Sequence, residues 1–281
     1  MPSINVTIPV ANEERRLPRS LPVLHGFLSD ERRFTFQIVI ANNGSTDRTQ
    51  EIAEGLSREY PDVRVLQSAE SGRGGAVKRA WLGSGAEVLS YMDVDLATDL
   101  EAFPALVEAV ASGRADIAIG SRLMAGSKTT RSWRRELISR AYVRLAKLLC
   151  GLRCSDAQCG FKAISRAAAQ ALLAQVEDNG WFFDTELLVR AQWGGWRIAE
   201  VPVNWTEDRD SRVKILRTAW QDVRGLMRLR RELARNRTAA KPDLAEPEPR
   251  GNKMGAKKLG LLFNPSQAAA VGYGIGRGDV L

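Results

Sequence analysis

The chain has 281 residues, of which 44% are hydrophobic and 26% are charged. This balance is that of an ordinary globular protein with a sizeable core, and it excludes a collagen-like or wholly disordered chain. The formal net charge of +8 at pH 7 favours polyanionic partners, which include phosphorylated substrates, an anionic membrane surface and nucleic acid.

The cysteines and the N-terminal segment argue against further classes of protein, namely zinc-binding, secreted and membrane-spanning proteins. Cys150, Cys154 and Cys159 are odd in number and lack CxxC spacing, and the single histidine, His25, lies far from them. We therefore expect reduced thiols and no zinc site. The first residues carry no basic segment before an apolar core, and no stretch approaches the ~18 apolar residues of a membrane span. We expect no signal peptide and any membrane contact to be peripheral.

Strands alternate with helices over the first 120 residues. Apolar, β-branched runs predict strands, and amphipathic segments between them predict helices. The predicted strands are residues 4–10, 36–40, 63–67, 88–92 and 116–119. Such alternation predicts an α/β fold with a mostly parallel central sheet and helices on both faces.

The predicted helices of this part begin after turn residues. Ser45 or Thr46 is the expected cap of the second helix. These helices are residues 13–28, 47–59, a segment containing 76–82, and 100–111.

The second half of the chain is more basic. It predicts helices over residues 132–149, 182–193 and 211–237, and strands over residues 158–164 and 196–203. The first and last of these helices are basic and amphipathic, which is typical of helices that lie on an anionic membrane surface. From residue 238 the chain is rich in proline and charge, so residues 238–281 are predicted to be a disordered tail.

Polar clusters follow the predicted strands one after another. In chain order these are ANEE, NNGSTD, ESGRGG, DVD and GSR. Because parallel strands present their carboxyl ends at one sheet edge, the five loops are expected to form one site.

Asp93 and Asp95 are the first chemical candidates. They lie at positions i and i+2 at a strand end, so their carboxylates face the same side. Mg²⁺ and Mn²⁺ prefer such oxygen ligands and leave positions open for diphosphate oxygens. Asp99 has a simpler interpretation, as the cap of the next helix.

Other motifs leave two interpretations open. The glycines around Arg73 favour a phosphate at a helix N-terminus, or a plain turn. NNGSTD is compatible with base or ribose recognition, or with helix capping. DAQCGFK and WFFDTELL bring further polar residues, which are either functional or helix-dipole partners.

Taken together, the motifs resemble family 2 glycosyltransferases of the GT-A fold. Within that family the chain is similar to polyprenyl-phosphate glycosyl synthases, above all dolichyl-phosphate β-glucosyltransferases. The resemblance covers about residues 3–235 and rests on IPVANEE, NNGSTDRT, GRGGAVKRA, DVDLAT, GSR, DAQCGFK, WFFDTELL and VNWTE. It implies one domain over residues 1–237, with a nucleotide-binding half (1–122) and an acceptor- and membrane-facing half (123–237).

The resemblance also implies a role for individual positions. The metal ligands would be Asp95 and Asp93, with Asp184 and Glu186 beside the reacting centre as further catalytic residues. The nucleotide-binding residues would be Pro9, Ala11, Glu13, Asn42 and Arg73. The sugar and acceptor-phosphate residues would be Arg122, Gln158, Lys162, Ser211, Arg212 and Lys214.

Two departures from the family pattern bear on the donor. Asn42 stands where the family usually has an aspartate facing the uracil, which leaves base selectivity open. Ala97 stands where mannosyl-phosphate synthases have a glutamine, so DVDLAT resembles the glucosyl-type pattern and favours a UDP-sugar.

The expected activity is therefore a metal-dependent, inverting transfer of a hexose, with glucose favoured, from a UDP-sugar to polyprenyl or dolichyl monophosphate. The cofactor would be Mg²⁺ or Mn²⁺, and the protein would act in the cytoplasm, peripherally on the cytoplasmic face of the membrane. One alternative keeps the family but changes the donor sugar to an N-acetylhexosamine, galactose or mannose from GDP-mannose, or takes a soluble hydroxyl acceptor with Asp184 or Glu186 as general base. A nucleic-acid-binding protein is the remote alternative, because no binding fold supports it.

Overall fold

A computed structural model describes residues 1–206 and 215–239. Its strands, in chain order, are β1 (Ser3–Val10), β2 (Thr35–Asn43), β3 (Val63–Ser68), β4 (Val88–Met92), β5 (Ile117–Ser121), β6 (Lys128–Thr130), β7 (Phe161–Ser165), β8 (Ile198–Pro202) and β9 (Asn204–Thr206). In these residues seven strands form a central sheet in the order β3-β2-β1-β4-β7-β5-β8, and β6 pairs with β9 in a second small sheet.

The central sheet is mostly parallel, as the alternating pattern predicts. The exception is β7, which runs antiparallel to both of its neighbours, β4 and β5. Met92 at the end of β4 pairs with Phe161 at the start of β7. This register brings the loop before β7 to the carboxyl end of β4, next to Asp93.

Helices cover both faces of this sheet. They are α1 (Leu17–Asp30), α2 (Thr49–Glu59), α3 (Arg73–Leu82), α4 (Phe103–Ala111), α5 (Trp133–Cys150), α6 (Arg166–Leu173), α7 (Phe183–Trp193) and α8 (Ile215–Ala239), with a 3-10 turn at Leu100–Ala102 before α4. Successive residues of β4 point to opposite faces. Val88 and Met92 lie in the core with α1 and α4, whereas Leu89 and Tyr91 lie in the core with α3, α6 and α7.

Some local details differ from the sequence predictions. The predicted cap of α2 by Ser45 or Thr46 is wrong, because Asp47 accepts the backbone N–H of Thr49 at 3.0 Å, while Ser45 Oγ binds Asn42 Oδ1 at 2.5 Å. The first helix begins at Leu17 rather than residue 13, after a turn in which the Glu13 carbonyl oxygen accepts the Arg16 and Leu17 N–H groups and the Glu13 N–H binds Thr49 Oγ1 at 2.7 Å.

Three elements carry no signal in the sequence that predicts them. Strands β6 and β9 have three residues each, too few for a periodic pattern. Helix α6 follows β7 without a loop, and Ser165, the last residue of that strand, caps it by accepting the Ala168 N–H at 3.2 Å. Of the predicted tail, residues 238–281, the first two belong to α8 and residues 240–281 lie outside the described residues. That division of the chain stays a prediction.

Candidate active site

Asp93 and Asp95 lie at the carboxyl end of β4, in a tight turn. Leu96 adopts a positive φ of 49°, and its N–H binds the Asp93 carbonyl oxygen at 3.2 Å. The Ala97 N–H binds Asp95 Oδ1 at 3.1 Å. Asp95 is exposed and Asp93 is half-buried, so both side chains are accessible to solvent at this edge of the sheet.

Arg73, the first residue of α3, is the centre of the site. Its Nε and one terminal nitrogen donate to Asp93 Oδ1 at 3.0 and 2.7 Å, and its other terminal nitrogen donates to Asp184 Oδ2 at 2.6 Å. The guanidinium lies between two aromatic rings, with centroid distances of 4.9 Å to Tyr91 and 5.1 Å to Trp181. Such stacking fixes a planar cation that already binds two carboxylates.

Asp184 is buried beneath Arg73. It also accepts the Tyr91 hydroxyl and lies 3.0 Å from Lys162 Nζ. Burial by itself would raise the pKa of Asp184, but Lys162 and Arg73 lower it below its ordinary value. The side chain is 1% exposed. Asp184 is therefore an ionised residue that positions Arg73 and Tyr91, and it does not reach the open site.

Gly160 closes the site from the β7 side. Its carbonyl oxygen accepts the Asp93 N–H at 3.3 Å. A Cβ at this position would overlap both the Asp93 carboxylate and the Arg73 guanidinium. Only glycine lets the loop before β7 pass this close to the pair.

A second arginine–carboxylate pair is formed with Asp156, which lies on the same loop before β7. Arg122, directly after β5, binds the Asp156 carboxylate with two side-chain bonds of 2.7 and 3.0 Å, and its ring contact with Trp205 is 5.5 Å. Asp156 is buried, which would raise its pKa, but Arg122 lowers that pKa to about 2. Gln158, two residues further along, donates its side-chain amide to Asp222 on α8 at 2.7 Å.

Glu186 is placed differently from Asp184. It is fully buried, and its carboxylate accepts the Asp178 N–H at 2.9 Å and the side chains of Arg190 and Arg228 at 2.9 and 2.6 Å. Arg190 in turn binds Glu232 on α8. These contacts join α7 to α8, so the geometry favours a structural role for Glu186 over the catalytic role expected from the resemblance.

Apart from Arg73, the expected nucleotide-binding residues lie at or just after the ends of β1 and β2. Pro9 is buried in β1, and Ala11 after it is exposed. The Asn42 amide is already occupied, since it donates to Gln50 at 2.7 Å and accepts from Ser45. Glu13 pairs with Arg16 at 3.1 Å. Because β1 lies between β2 and β4, these residues share the sheet edge with Asp93, and their role in binding stays a prediction.

The structure brings together Arg73, Asp93, Lys162 and Asp184, which lie in separate motifs. Ser211, Arg212 and Lys214 lie outside the described residues. The sequence reasoning missed Tyr91, Trp181, Gly160 and Asp222 as parts of the site. In the sequence, Tyr91 and Trp181 are indistinguishable from aromatic residues of the core. An acid at position 222 within a basic helix, by contrast, indicates a carboxyl group with a specific partner.

The oxygen donors at the end of β4 suit a hard divalent ion. The described residues contain no group of three or more histidine, cysteine or acidic side chains that could hold a metal. Asp95 is nevertheless exposed, and Asp93 Oδ2 accepts no hydrogen bond from the described residues, since Arg73 binds Oδ1. Mg²⁺ is commonly held by one or two carboxylates with substrate phosphates as further ligands, so the pair fits an ion that a diphosphate would complete.

Sequence comparison places the site within a known family. Residues 5–173 match the model of glycosyl transferase family 2. The chain is 42% identical over 234 residues to glycosyltransferase AglD of Haloferax volcanii, an alignment that covers 78% of this chain and 37% of that protein. It is 33% identical over 223 residues to dolichyl-phosphate β-glucosyltransferase ALG5A of Trichomonas vaginalis (75% and 68% covered) and over 228 residues to the human dolichyl-phosphate β-glucosyltransferase (75% and 69% covered).

Structural comparison supports the same fold. Glucosyl-3-phosphoglycerate synthase from Mycobacterium tuberculosis, in complex with UDP, has a TM-score of 0.61 and 21% identity over 82% of this chain and 80% of that chain. A second structure of the same enzyme contains Mn²⁺, UDP and glucosyl-3-phosphoglycerate, with a TM-score of 0.60 and 20% identity over 82% of this chain and 80% of that chain. The family resemblance and the GT-A fold class are confirmed.

Proposed function

Starting from the membership of this chain in glycosyl transferase family 2, we propose that it transfers glucose from UDP-glucose to a polyprenyl or dolichyl monophosphate, with inversion. The observation that carries the proposal is the identity of 33–34% to dolichyl-phosphate β-glucosyltransferases over about three quarters of the chain. Because the chain spans only 37% of AglD and 65% of the dolichyl-phosphate β-glucosyltransferase ALG5C of Trichomonas vaginalis, the substrates are part of the proposal.

In the proposed reaction an anionic oxygen of the acceptor phosphate attacks the anomeric carbon of the sugar. The bond from that carbon to the donor diphosphate breaks as the new bond forms, and UDP leaves with the electron pair. The acceptor oxygen is already ionised, so no strong general base is needed. This agrees with the site, where Asp184 and Glu186 are both buried and already bound to cationic side chains.

The main obstacle in this reaction is repulsion between two phosphorylated substrates. Asp95 and Asp93 would hold Mg²⁺ or Mn²⁺, which supplies Lewis-acid stabilisation of the diphosphate leaving group. Arg73 holds Asp93 in place, and Arg122, fixed by Asp156, presents a cation beside the same loop. Preorganised charges of this kind lower the barrier because they need no reorganisation during the reaction.

Helices α5 and α8 pack against each other and carry the surface that we propose for membrane contact. On α5, Tyr142, Leu145 and Leu149 pack against the core, and the exposed apolar residues lie in the first turns, apart from Leu148 in the last turn. We call this surface the α5–α8 face; its exposed apolar side chains are Trp133, Leu137, Ile138, Trp220 and Met227. Exposed arginines, including Arg134, Arg224 and Arg231, flank them.

Apolar side chains flanked by arginines suit the interfacial region of an anionic bilayer. In the described ranges, none of the helices combines the length and apolar character needed to cross a bilayer. We propose peripheral binding at the cytoplasmic face of a membrane, where a polyprenyl phosphate would be presented to the site.

The test is a donor and acceptor panel with purified protein. UDP-glucose, UDP-galactose, UDP-N-acetylhexosamines and GDP-mannose are each incubated with polyprenyl phosphate and Mg²⁺ or Mn²⁺, and lipid products are separated. We expect transfer from UDP-glucose to give a β-linked lipid-phosphate sugar. An α-linked product, a preference for another donor, or transfer to a soluble hydroxyl acceptor in place of the lipid would contradict the proposal.

A further inference from the structure

Asp222 on α8 is a buried acid in an unusual setting. Only 4% of it is exposed. One carboxylate oxygen, Oδ2, accepts the Gln158 side-chain amide at 2.7 Å, while the other, Oδ1, is buried and has no hydrogen-bond partner among the described residues. A buried polar atom without a partner destabilises the folded chain, and more so when it carries a charge.

The groups around Asp222 do not neutralise a negative charge. The charged residues that act on it are Asp178, in the loop before α7, and Asp184, on α7, and both are acids. From α5 it is faced by Tyr142, whose hydroxyl hydrogen-bonds Thr185 Oγ1 at 2.7 Å. Burial, followed by these acids, raises the pKa of Asp222 to about 7 although the Gln158 bond opposes the shift. The carboxyl group is thus largely protonated just below neutral pH.

Gln158 connects Asp222 to the proposed acceptor side. Its backbone N–H binds Asp156, the partner of Arg122, at 3.0 Å, and Gly160 beside Asp93 is two residues further on. Because Asp222 Oδ2 takes the amide NH₂ group, the Gln158 carbonyl oxygen is left to act as an acceptor for another group. That oxygen is an acceptor that suits a hydroxyl group of a sugar or a protonated phosphate oxygen.

We propose that Asp222 is a positioning residue for the transfer reaction, which in its uncharged form holds the Gln158 amide so that the carbonyl oxygen of Gln158 faces the substrates. The inference rests on the proposed function. When Asp222 loses its proton, a buried negative charge appears next to a site that binds two phosphorylated substrates, and it repels them. Transfer is then expected to fall as the pH rises above about 7.

The experiment compares wild type with Asp222→Asn, which mimics the neutral carboxyl, and Asp222→Ala, which releases Gln158. Glu54→Gln, an exposed acid on α2, is the control for removal of a carboxylate. The kcat/KM for polyprenyl phosphate is measured between pH 6 and 8.5 in each protein. Since the fraction of Asp222 that keeps its proton falls as the pH rises above about 7, we expect kcat/KM of wild type and Glu54→Gln to fall at least severalfold between pH 6 and 8.5.

Asp222→Asn is expected to keep most of the transfer at pH 6 and to lose this fall, so that it exceeds wild type at pH 8.5. Asp222→Ala is expected to be lower at every pH by about tenfold, mainly through KM. Superimposed pH profiles of wild type and Asp222→Asn, in an active enzyme, would overturn the inference alone. Absence of transfer by wild type at any pH would instead overturn the proposed function and the role in transfer with it.

A stability measurement separates failure of the Asp222 inference from failure of the proposed function, because it needs no substrate. The ordinary pKa of 3.8 is raised on folding, so the folded chain binds this proton more tightly than the unfolded chain. Wild type should therefore lose stability relative to Asp222→Asn as the pH rises from about 4 to about 7, and the difference should be constant above pH 8. A difference in Tm that is constant from pH 4 to 8 would contradict a neutral Asp222 whatever the activity.

Discussion

Arg73 and Asp93 are joined by two hydrogen bonds to the same oxygen, Asp93 Oδ1, at 3.0 and 2.7 Å. The other carboxylate oxygen, Oδ2, is thereby left for a ligand, and it faces the loop at Gly160. The same guanidinium binds Asp184, 111 positions further along the chain. Arg73 therefore connects the proposed metal ligand to a buried acid, and this relationship leads to the first prediction.

Replacing Arg73 with lysine should lower kcat/KM for the donor by about a hundredfold, because an ammonium group cannot bind both carboxylates in the geometry of the guanidinium fork. Arg73→Met should also destabilise the fold by roughly 3 kcal/mol, because buried Asp184 loses one of its two cationic partners and keeps only Lys162. Steady-state kinetics and thermal unfolding check these effects. Arg79→Lys, on the same helix but paired with the exposed Glu70, is the control; equal effects at both positions would contradict the assignment.

Asp95→Asn should weaken metal-dependent transfer by a hundredfold or more, since it removes the exposed carboxylate of the pair. Stability should change little, because Asp95 is exposed. The measurement is transfer as a function of Mn²⁺ concentration, with thermal unfolding in parallel. Asp99→Asn is the matched control, as Asp99 caps the next turn by accepting the Glu101 N–H at 3.0 Å. Undiminished metal-dependent transfer by Asp95→Asn would remove Asp95 as a ligand.

Gly160→Ala should abolish most of the transfer while the protein stays folded. The added methyl group overlaps Asp93 and Arg73, so the pair must shift away from the geometry needed for the donor, and misplacements of about 1 Å can cost a hundredfold in rate. Gly85→Ala is the control, because a Cβ there meets no atom within 4 Å. Donor binding by calorimetry and a circular dichroism spectrum together test this prediction, and wild-type binding by Gly160→Ala would refute it.

Glu186→Ala should act on stability more than on chemistry. It leaves Arg190 and Arg228 without their shared buried carboxylate, which we expect to cost about 3 kcal/mol, although Arg190 keeps Glu232. Thermal unfolding should show a clear drop in Tm. At a temperature where the variant is folded, kcat should lie within a few-fold of wild type. A large loss of kcat with an unchanged Tm would restore the catalytic role that the family resemblance implies for Glu186.

Charge reversal on the α5–α8 face should weaken binding to anionic vesicles. Arg224 and Arg231 are suitable positions because both are exposed, whereas Arg228 is bound to Glu186 and Glu177 and its reversal would disturb the fold. At about 1 kcal/mol for each basic residue, Arg224→Glu with Arg231→Glu should reduce partitioning by at least about thirtyfold. Flotation with phosphatidylserine-containing liposomes measures this. Arg58→Glu with Arg64→Glu, on α2 and β3, changes net charge equally and should retain binding.

Much of the fold was predictable because strands and helices follow from the pattern of apolar and polar residues along short segments. Buried runs such as β4 (Val88–Met92) read directly as strands, and their alternation with helices predicts the parallel sheet. The topology of such a sheet then places Asp93, Asp95 and Arg73 at one edge. The helix bounds were less accurate. α1 begins at Leu17, after a turn whose first residue, Glu13, is bound to Thr49, 36 positions further along the chain.

The sequence by itself thus determined the family, the fold class and the strand ends at which the polar residues gather. Only the tertiary structure separated Asp184, which supports Arg73, from Glu186, which joins α7 to α8, although they lie two positions apart in one motif. It also brought Asp222 to Gln158 across 64 positions. The physical reason is that strand and helix periods are set by neighbouring residues, whereas the partner of a buried charge is set by which elements pack together, and that depends on the whole chain.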